Sequence, residues 1–378
     1  MTRREVVVTG TGFVCALGEG GGPDISAFQP GVRATVGTER LSGYPVHAAV
    51  ALEWDRQIPK KSDQRQMEPW QRLGCYAAGL ALDSAGLKDD PATKSRMQLV
   101  VAAGGGERDY EVDSQILTGL RDAPDPGTYL NEHLMGDLRP TLFLAQLSNL
   151  LAGNIAIVHG ITGASRTFMG EEQSGLDALR IAEARVAAGQ AEIMMVGSSY
   201  NAERPDVMLT YELGGYYWNR PYVPVRERGG RGGGFILGSG AAFLVLETAE
   251  HADRRGAKAL AFLYPVASIR TRREPGRVAT ALEILWRELG AQTPDAVVSG
   301  ATGAAPATAE EHNALSRLAP SARVHDLGDL VGHTMETQAP LGAALAVGLV
   351  ASGAAREVVT TSVGHRRGEG LVRLTAPG

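Results

Sequence analysis

The side chains best suited to covalent chemistry in this sequence are its two cysteines, Cys15 and Cys75. A cysteine thiolate is a strong nucleophile, but only where its surroundings stabilise the negative charge. Cys15 follows a predicted glycine turn, Gly10-Thr-Gly12, and Cys75 lies on the apolar face of a predicted helix. Buried cysteines usually behave as small apolar side chains, and we predict that both thiols are packed in the core. Two cysteines are too few for a disulfide framework or a zinc site, so we predict no bound metal and a reducing cytoplasm.

Two glycine-rich segments resemble nucleotide-binding loops only superficially. In the first, the third glycine of a dinucleotide fingerprint would fall on Cys15, and no helix obviously begins there. The second, Gly229-Gly-Arg-Gly-Gly-Gly, lacks the Gly-Lys-Ser/Thr ending of a phosphate-binding loop. We interpret the second segment as a flexible insertion and predict that the protein uses no cofactor.

The composition excludes two further classes of function. The 378-residue chain has a formal net charge of −5, which offers no basic surface to nucleic acid. No stretch approaches the roughly 20 consecutive apolar residues of a membrane span. The apolar run Val6-Val-Val is too short for a signal peptide, and we interpret it as a first strand. The length favours two half-domains over one core.

The elements that must position any site alternate between apolar, β-branched runs and alanine-rich helical stretches. The predicted strands are Glu5–Thr9, Gln98–Ala103, Ile193–Gly197, Phe243–Glu247, Ala296–Ser299 and Val358–Val363. The predicted helices are Met67–Ser84, Ser174–Ala188, Thr280–Leu289, Ala309–Leu318 and Leu341–Ser352. Strands that are apolar throughout indicate sheets covered on both faces. The sequence therefore predicts a layered α/β fold.

Four blocks spread along the chain resemble the β-ketoacyl synthases of fatty-acid and polyketide synthesis. They are Val6-Val-Val-Thr-Gly-Thr-Gly-Phe-Val-Cys-Ala-Leu-Gly, the segment from Asn149 to Ser165, the region from Arg220-Pro-Tyr through Gly234-Phe-Ile-Leu-Gly-Ser-Gly-Ala-Ala, and Val331-Gly-His-Thr. The resemblance implies a thiolase-like αβαβα layered fold built from two similar halves. We place the halves at residues 1–250 and 251–378.

The same blocks depart from the catalytic pattern of that family. Its nucleophilic cysteine, at the N-terminus of a helix, aligns with Glu172. Its first catalytic histidine aligns with Ala301, whereas the second survives as His333. The loop that gates the family's site reads Gly364-His-Arg-Arg-Gly-Glu-Gly, which implies a bulky, polar gate that contains His365. A carboxylate cannot hold an acyl chain as a transferable thioester, so condensation by this chain is not expected.

This pattern is similar to the chain-length factors, synthase homologues that pair with a true ketosynthase. Their nucleophile position often carries glutamine, and here Glu172-Gln-Ser-Gly-Leu-Asp-Ala takes its place. The resemblance implies a heterodimer with a cysteine-containing ketosynthase, an acyl carrier protein as second partner, and an acyl tunnel shaped by this chain. We predict that His365, Phe168 and Phe143 contact the substrate. The apolar segment 129–151 is predicted to form an interface or tunnel wall, with ordinary core as the alternative.

Three other interpretations stay open. In one, Glu172 and His333 decarboxylate malonyl-carrier protein or hydrolyse an acyl thioester, and decarboxylation requires a raised pKa that keeps Glu172 protonated. In another, the protein is a homodimeric, non-catalytic module that binds acyl groups or carrier protein. In the third, Glu172 has no chemical role and simply complements the dipole in the first turn of its helix.

Overall fold

A computed structural model of the chain describes residues 3–28, 35–41, 43–106, 108–291 and 293–377. Residues 1–2 and 378, at the ends of the two predicted halves, lie outside these ranges. The strands are β1 (Val6–Cys15), β2 (Gly18–Gly20), β3 (Val46–His47), β4 (Gln98–Ala102), β5 (Ser165–Phe168), β6 (Ile193–Tyr200), β7 (Leu237–Gly238), β8 (Gly240–Thr248), β9 (Ala261–Leu263), β10 (Ala267–Ile269), β11 (Ala296–Ser299), β12 (Arg323–Asp326), β13 (Glu357–Val363) and β14 (Glu369–Thr375).

Helices separate most of these strands, as an α/β fold requires. They are α1 (Lys61–Gln66), α2 (Pro69–Ser84), α3 (Pro91–Arg96), α4 (Tyr110–Leu120), α5 (Pro126–Gly136), α6 (Thr141–Ala145), α7 (Leu150–His159), α8 (Glu172–Ala187), α9 (Pro205–Leu213), α10 (Ala249–Arg254), α11 (Arg277–Leu289), α12 (Ala307–Leu318), α13 (Leu327–Leu330) and α14 (Gln338–Ala351).

One large mixed sheet connects both parts of the chain. Its strand order is β12-β11-β13-β14-β9-β1-β8-β6-β4-β5, with β2 attached to β1 and β10 attached to β14. The central strands β1, β8 and β6 are antiparallel, whereas β4 is parallel to both β5 and β6. Strand β9 pairs with β1 on one side and with β14 on the other. The sheet is therefore continuous across residue 250, and the division into 1–250 and 251–378 stays a prediction.

The helices lie in three layers. The β6 part of the sheet separates the first layer from the middle one, and the β11 part separates the middle layer from the third. In β6, Ile193 and Met195 pack in a core with α2 and α7, whereas Met194 and Val196 pack on the opposite face with α8 and α14. In β11, Val298 faces the same α8 and α14 layer, while Val297 packs in a core with α11 and α12. Successive side chains of a strand point to opposite faces, and here both faces are covered. The predicted αβαβα order of layers is confirmed.

Strand β1 corrects one detail of the sequence analysis. Gly10-Thr-Gly12 is not a turn but the middle of β1, which continues to Cys15 with a register shift between Val8 and Gly10. A Cβ atom at Gly10 or Gly12 would collide with the backbone of helix α2. The glycines are therefore required by close helix–strand packing rather than by a turn.

The structure also bears on the membrane question. Within the described ranges, no helix combines the length and the apolar character that crossing a bilayer would require.

Candidate functional site

The first residue of α8, Glu172, carries a fully buried carboxylate, with only 2% of the residue exposed. Its Oε1 atom accepts hydrogen bonds from His333 Nε2 at 2.9 Å and from His365 Nδ1 at 2.8 Å. The backbone N–H of His365 also donates to this oxygen, at 3.1 Å. We call Glu172, His333 and His365 the Glu–His–His cluster.

His333 is held in place by its own backbone. Its N–H donates to Ile236 O at 2.7 Å, and its carbonyl accepts from the N–H of Gly238 at 2.9 Å. Its ring packs against Phe235, with 4.7 Å between ring centroids. The backbone on either side of β7 therefore holds His333 in place. This is the histidine that the family resemblance retains.

His365 comes from the loop between β13 and β14. The loop is closed by a hydrogen bond from Gly364 N to Gly368 O, and the guanidinium of Arg273 donates to Gly364 O. The His365 ring is buried and contacts Tyr216 and Tyr211 edge-on, with centroid distances of 4.7 and 5.4 Å. The side chain of His365 turns inward and becomes a partner of Glu172, while its expected roles in a gate and in substrate contact stay predictions.

Hydrogen bonding decides the charge of the cluster. Burial alone would raise the pKa of Glu172, but the hydrogen bonds from His333 and His365 hold that pKa well below its usual value. The carboxylate is therefore ionised at neutral pH, stabilised by two imidazole N–H donors and by the N-terminus of α8. Within the described residues, the outer nitrogens, His333 Nδ1 and His365 Nε2, have no hydrogen-bond partner. Both nitrogens are buried, and His365 Nε2 lies 3.6 Å from Glu171 Oε1. Because its pKa is lowered, Glu172 itself is a weak base.

The donor set of the cluster also suits a metal ion. One carboxylate oxygen and two imidazole nitrogens lie within 4.8 Å of one another, a ligand set typical of zinc. However, the same atoms already satisfy each other as hydrogen-bond partners. Metal-bound histidines also usually donate their outer N–H to a neighbouring group; here His333 Nδ1 has no such described partner, and Glu171 Oε1 lies 3.6 Å from His365 Nε2. The geometry favours a hydrogen-bonded cluster over a metal centre.

Metal analysis distinguishes these two states. We expect purified protein to retain less than about 0.1 equivalents of zinc, because the three atoms that would bind the ion are already hydrogen-bonded to one another. Elemental analysis of the purified protein, with the His365→Ala variant as the matched control, would measure this. Zinc near one equivalent that disappears in the variant would contradict the hydrogen-bonded interpretation.

The two thiols are far less reactive than a nucleophile requires. Cys15 ends β1 and is fully buried, and burial raises the pKa of its thiol to about 11. Cys75 is buried within α2, where burial also raises the pKa of its thiol. Both belong to apolar cores, so the prediction that they pack rather than react agrees with their surroundings.

The remaining predicted site residues have different positions. Phe168 is the last residue of β5 and, with Glu172, lines an open cavity of about 440 Å³. Ala301 is buried in the loop that follows β11. Phe143 is not part of this site, because the neighbouring Leu142 turns inward on α6 and Phe143 is left 70% exposed. Phe143 makes no ring contact with the cluster among the described residues.

A second cavity, which no sequence pattern predicted, lies beside the cluster. It has a volume of about 140 Å³ and is lined by Ser199, Tyr200, Arg204 and Glu336, together with the backbone of Gly104. Burial raises the pKa of Glu336 to about 7. One feature of the sequence could have pointed to Glu336. It is the only acidic residue between Asp329 and Arg356, a stretch that is otherwise largely apolar.

Comparison with known proteins adds sequence and structural relatives. Residues 3–252 match the family described as "Beta-ketoacyl synthase, N-terminal domain". A 3-oxoacyl-[acyl-carrier-protein] synthase 2 from Vibrio harveyi is 28% identical over 271 residues, which cover 70% of this chain and 62% of the relative. The matched region therefore spans less than two-thirds of that relative's length.

Two solved structures have the same fold over nearly the whole chain. "The ishigamide ketosynthase/chain length factor" has a TM-score of 0.79 at 20% identity and covers 100% of both chains. A type II polyketide ketosynthase in complex with its acyl-carrier protein has a TM-score of 0.75 at 18% identity and covers 99% of this chain and 100% of its own. At these identities the likeness shows the fold alone, which is the mixed α/β thiolase-like fold of the ketosynthases.

Proposed function

The chain belongs to the β-ketoacyl synthase family, and we propose that it is the non-condensing, chain-length-factor-like partner of an active ketosynthase. The observation that carries the proposal is the Glu–His–His cluster. At the start of α8, where the family resemblance expects a reactive thiol, the side chain is a buried carboxylate bonded to two histidines. The only cysteines of the sequence, Cys15 and Cys75, are packed in apolar cores.

The charge of Glu172 argues against chemistry by this chain alone. An acylated carboxylate would be a mixed anhydride, which is a far less favourable acyl carrier than a thioester. The lowered pKa of Glu172 also opposes the decarboxylase alternative, because an ionised carboxylate repels the carboxylate of a malonyl group. A subunit without a nucleophile contributes to elongation by shaping a shared acyl tunnel.

An exposed apolar surface supports the expectation of a partner chain. Several large apolar side chains on or between helices α5 to α7, and one just after β5, are exposed to solvent. The exposed members of this surface are Leu130, Leu134, Met135, Phe143, Leu144, Leu147, Ile157 and Met169. Where exposed apolar side chains form a patch, they mark interaction sites, and we propose that these side chains do so. The alternative that segment 129–151 is ordinary core is wrong for its exposed members, from Leu130 to Leu147, although Leu142 and Leu151 are buried.

The sheet ends beside the same surface. Strand β5 pairs only with β4 among the described strands, and its Ser165 and Arg166 are exposed. An unpaired edge offers backbone hydrogen bonds to another chain. We propose that a cysteine-containing ketosynthase covers this edge and the apolar helices, and that the pair works with acyl carrier protein in the cytoplasm.

Reconstitution tests the proposed function. The chain would be purified alone and together with a cysteine-containing ketosynthase of the same host, then supplied with acyl- and malonyl-carrier protein. We expect a one-to-one pair that forms product only when the partner keeps its cysteine, and no product or carbon dioxide from this chain alone. Carbon dioxide release by the chain alone that is lost in Glu172→Gln would instead support the decarboxylase. Homodimers in the presence of every candidate ketosynthase would support the binding module.

A further inference from the structure

Two side chains hold the glycine pair Gly104-Gly105, which comes shortly after β4, from its two ends. Glu336 Oε1 accepts a hydrogen bond from the N–H of Gly104 at 2.7 Å. Arg204 Nη1 donates to the carbonyl oxygen of Gly105 at 3.1 Å. All four residues line the 140 Å³ cavity beside the Glu–His–His cluster. We call these four residues the glycine clamp.

The glycine clamp is also connected to the start of helix α4. Arg204 forms a two-pronged salt bridge with Asp206, with distances of 2.7 and 3.2 Å. Asp206 in turn accepts a hydrogen bond from the hydroxyl of Tyr110, the first residue of α4. The clamped glycines and the start of α4 are therefore attached to the same arginine. An opening of the clamp would loosen the entry to this helix.

The backbone fixes the Glu336 carboxyl group against the glycine. A Cβ atom at Gly104 would lie 2.8 Å from Glu336 Oε1, so only a residue without a side chain lets the carboxyl group approach this closely. The preceding residue, Met335, adopts φ of 47°, a left-handed conformation that is uncommon for a residue other than glycine. Such strained positions cluster at functional and switching sites, where the surrounding structure enforces them.

The surroundings of Glu336 disfavour a negative charge on its carboxyl group. The residue is 5% exposed and forms no salt bridge with any described residue, and the guanidinium of Arg204 is already paired with Asp206. The other titratable groups around it within the described ranges are Glu171, Glu172, Tyr200 and Tyr211. Burial outweighs the attraction of Arg204 and raises the pKa of Glu336 to about 7, and the negative charge of Glu172 adds to this rise.

We propose that Glu336 is a proton-controlled latch, whose neutral carboxyl group keeps the glycine clamp closed and whose ionisation favours an open form in which the carboxylate reaches water. The latch does not depend on a ketosynthase partner, so it and the proposed function can fail separately. In the open form the carboxyl group titrates like an exposed glutamate, near about 4.3. The closed form holds its proton up to about pH 7, so opening becomes more favourable as the pH rises between these two values and then levels off.

Amide hydrogen exchange of the full chain tests the latch, with Glu336→Gln as a permanently neutral form of the same side chain. At each pH, the exchange rate of the peptide that contains Gly104 and Gly105 is divided by the rate of the same peptide in the variant, which cancels the intrinsic pH dependence of exchange. We expect this ratio to rise at least about tenfold between about pH 5 and about pH 7.5, because only the wild type gains from releasing a proton on opening. A ratio that stays constant or falls would overturn the proposal.

Two controls make the test specific to the clamp. Glu171→Gln removes a carboxylate from the same cavity wall, but one that accepts from Tyr211 instead of Gly104. The corresponding ratio for this variant should stay within about twofold, and a rise as large as that with Glu336→Gln would assign the pH dependence to Glu171 and reject the latch. Strand β11 reports global unfolding, and we expect the glycine peptide to be at least about tenfold less protected than β11 at about pH 7.5. Equal protection would mean that only global unfolding exposes the glycines, which would also reject the latch.

Discussion

Replacing Glu172 by leucine is expected to lower the free energy of unfolding by about 3–5 kcal/mol, because removing one member of a buried ionic network leaves its partners unpaired. In this protein Glu172 Oε1 accepts hydrogen bonds from three N–H groups, which are the two imidazole N–H groups and the backbone N–H of His365. The substitution would remove this acceptor from all three. Glu172→Gln keeps an acceptor oxygen and is expected to cost less.

Chemical denaturation at pH 7 measures this effect, and the neighbouring carboxylate provides the control. Glu171 is partly exposed, and we expect Glu171→Leu to change the free energy of unfolding by less than about 1 kcal/mol. If Glu172→Leu were no more destabilising than Glu171→Leu, the hydrogen-bonded cluster would not contribute to the stability of the fold.

The same carboxylate predicts the direction of the pH dependence. The pKa of Glu172 is lower in the folded chain than in the unfolded chain, where a glutamate titrates near about 4.3. Its contribution is therefore fully present above the unfolded pKa and is lost as the pH falls through the lower, folded value. The difference in unfolding free energy between wild type and Glu172→Gln should shrink in strong acid. A difference that grows on acidification would contradict the lowered pKa.

Placing aspartates at Met135 and Phe143 is expected to weaken the pair with the ketosynthase by more than about 100-fold. Both side chains are strongly exposed in the single chain, at 79% and 70%. An interface that covers them would have to bury two unpaired carboxylates, which is costly unless each charge finds a partner. The stability of the single chain should hardly change, since neither side chain contributes to its core.

Co-purification followed by sedimentation analysis would measure this loss of pairing. Ile284→Asp is the control, because Ile284 is an exposed apolar residue on α11, in the outer helix layer of the other part of the chain. We expect Ile284→Asp to leave the pair intact. A partner that binds the double variant as tightly as wild type must use a different surface, and the proposed interface on α5 to α7 and β5 would then be abandoned.

Much of the fold could be predicted from local pattern. Strand Ala296–Ser299 was predicted with its observed bounds, and the helices that begin at Glu172 and Arg277 were found to within three residues at either end. These predictions succeeded because periodic burial is written into neighbouring residues. Helices α4 to α6 were missed, since their exposed apolar residues do not follow the pattern of a core-facing helix.

The sequence by itself determined the layered α/β class, the absence of cysteine from helix α8 and the position of Glu172 in the first turn of that helix. These features depend on residue type and on short-range spacing, which a single chain displays directly. Only the tertiary structure decided that Glu172 meets His333 and His365, which lie 161 and 193 residues away along the chain. It also turned Phe143 outward and placed Ser199, Tyr200 and Glu336 around one cavity. Such meetings depend on how loops and strand ends are brought together by the packing of whole layers, and no local pattern encodes that arrangement.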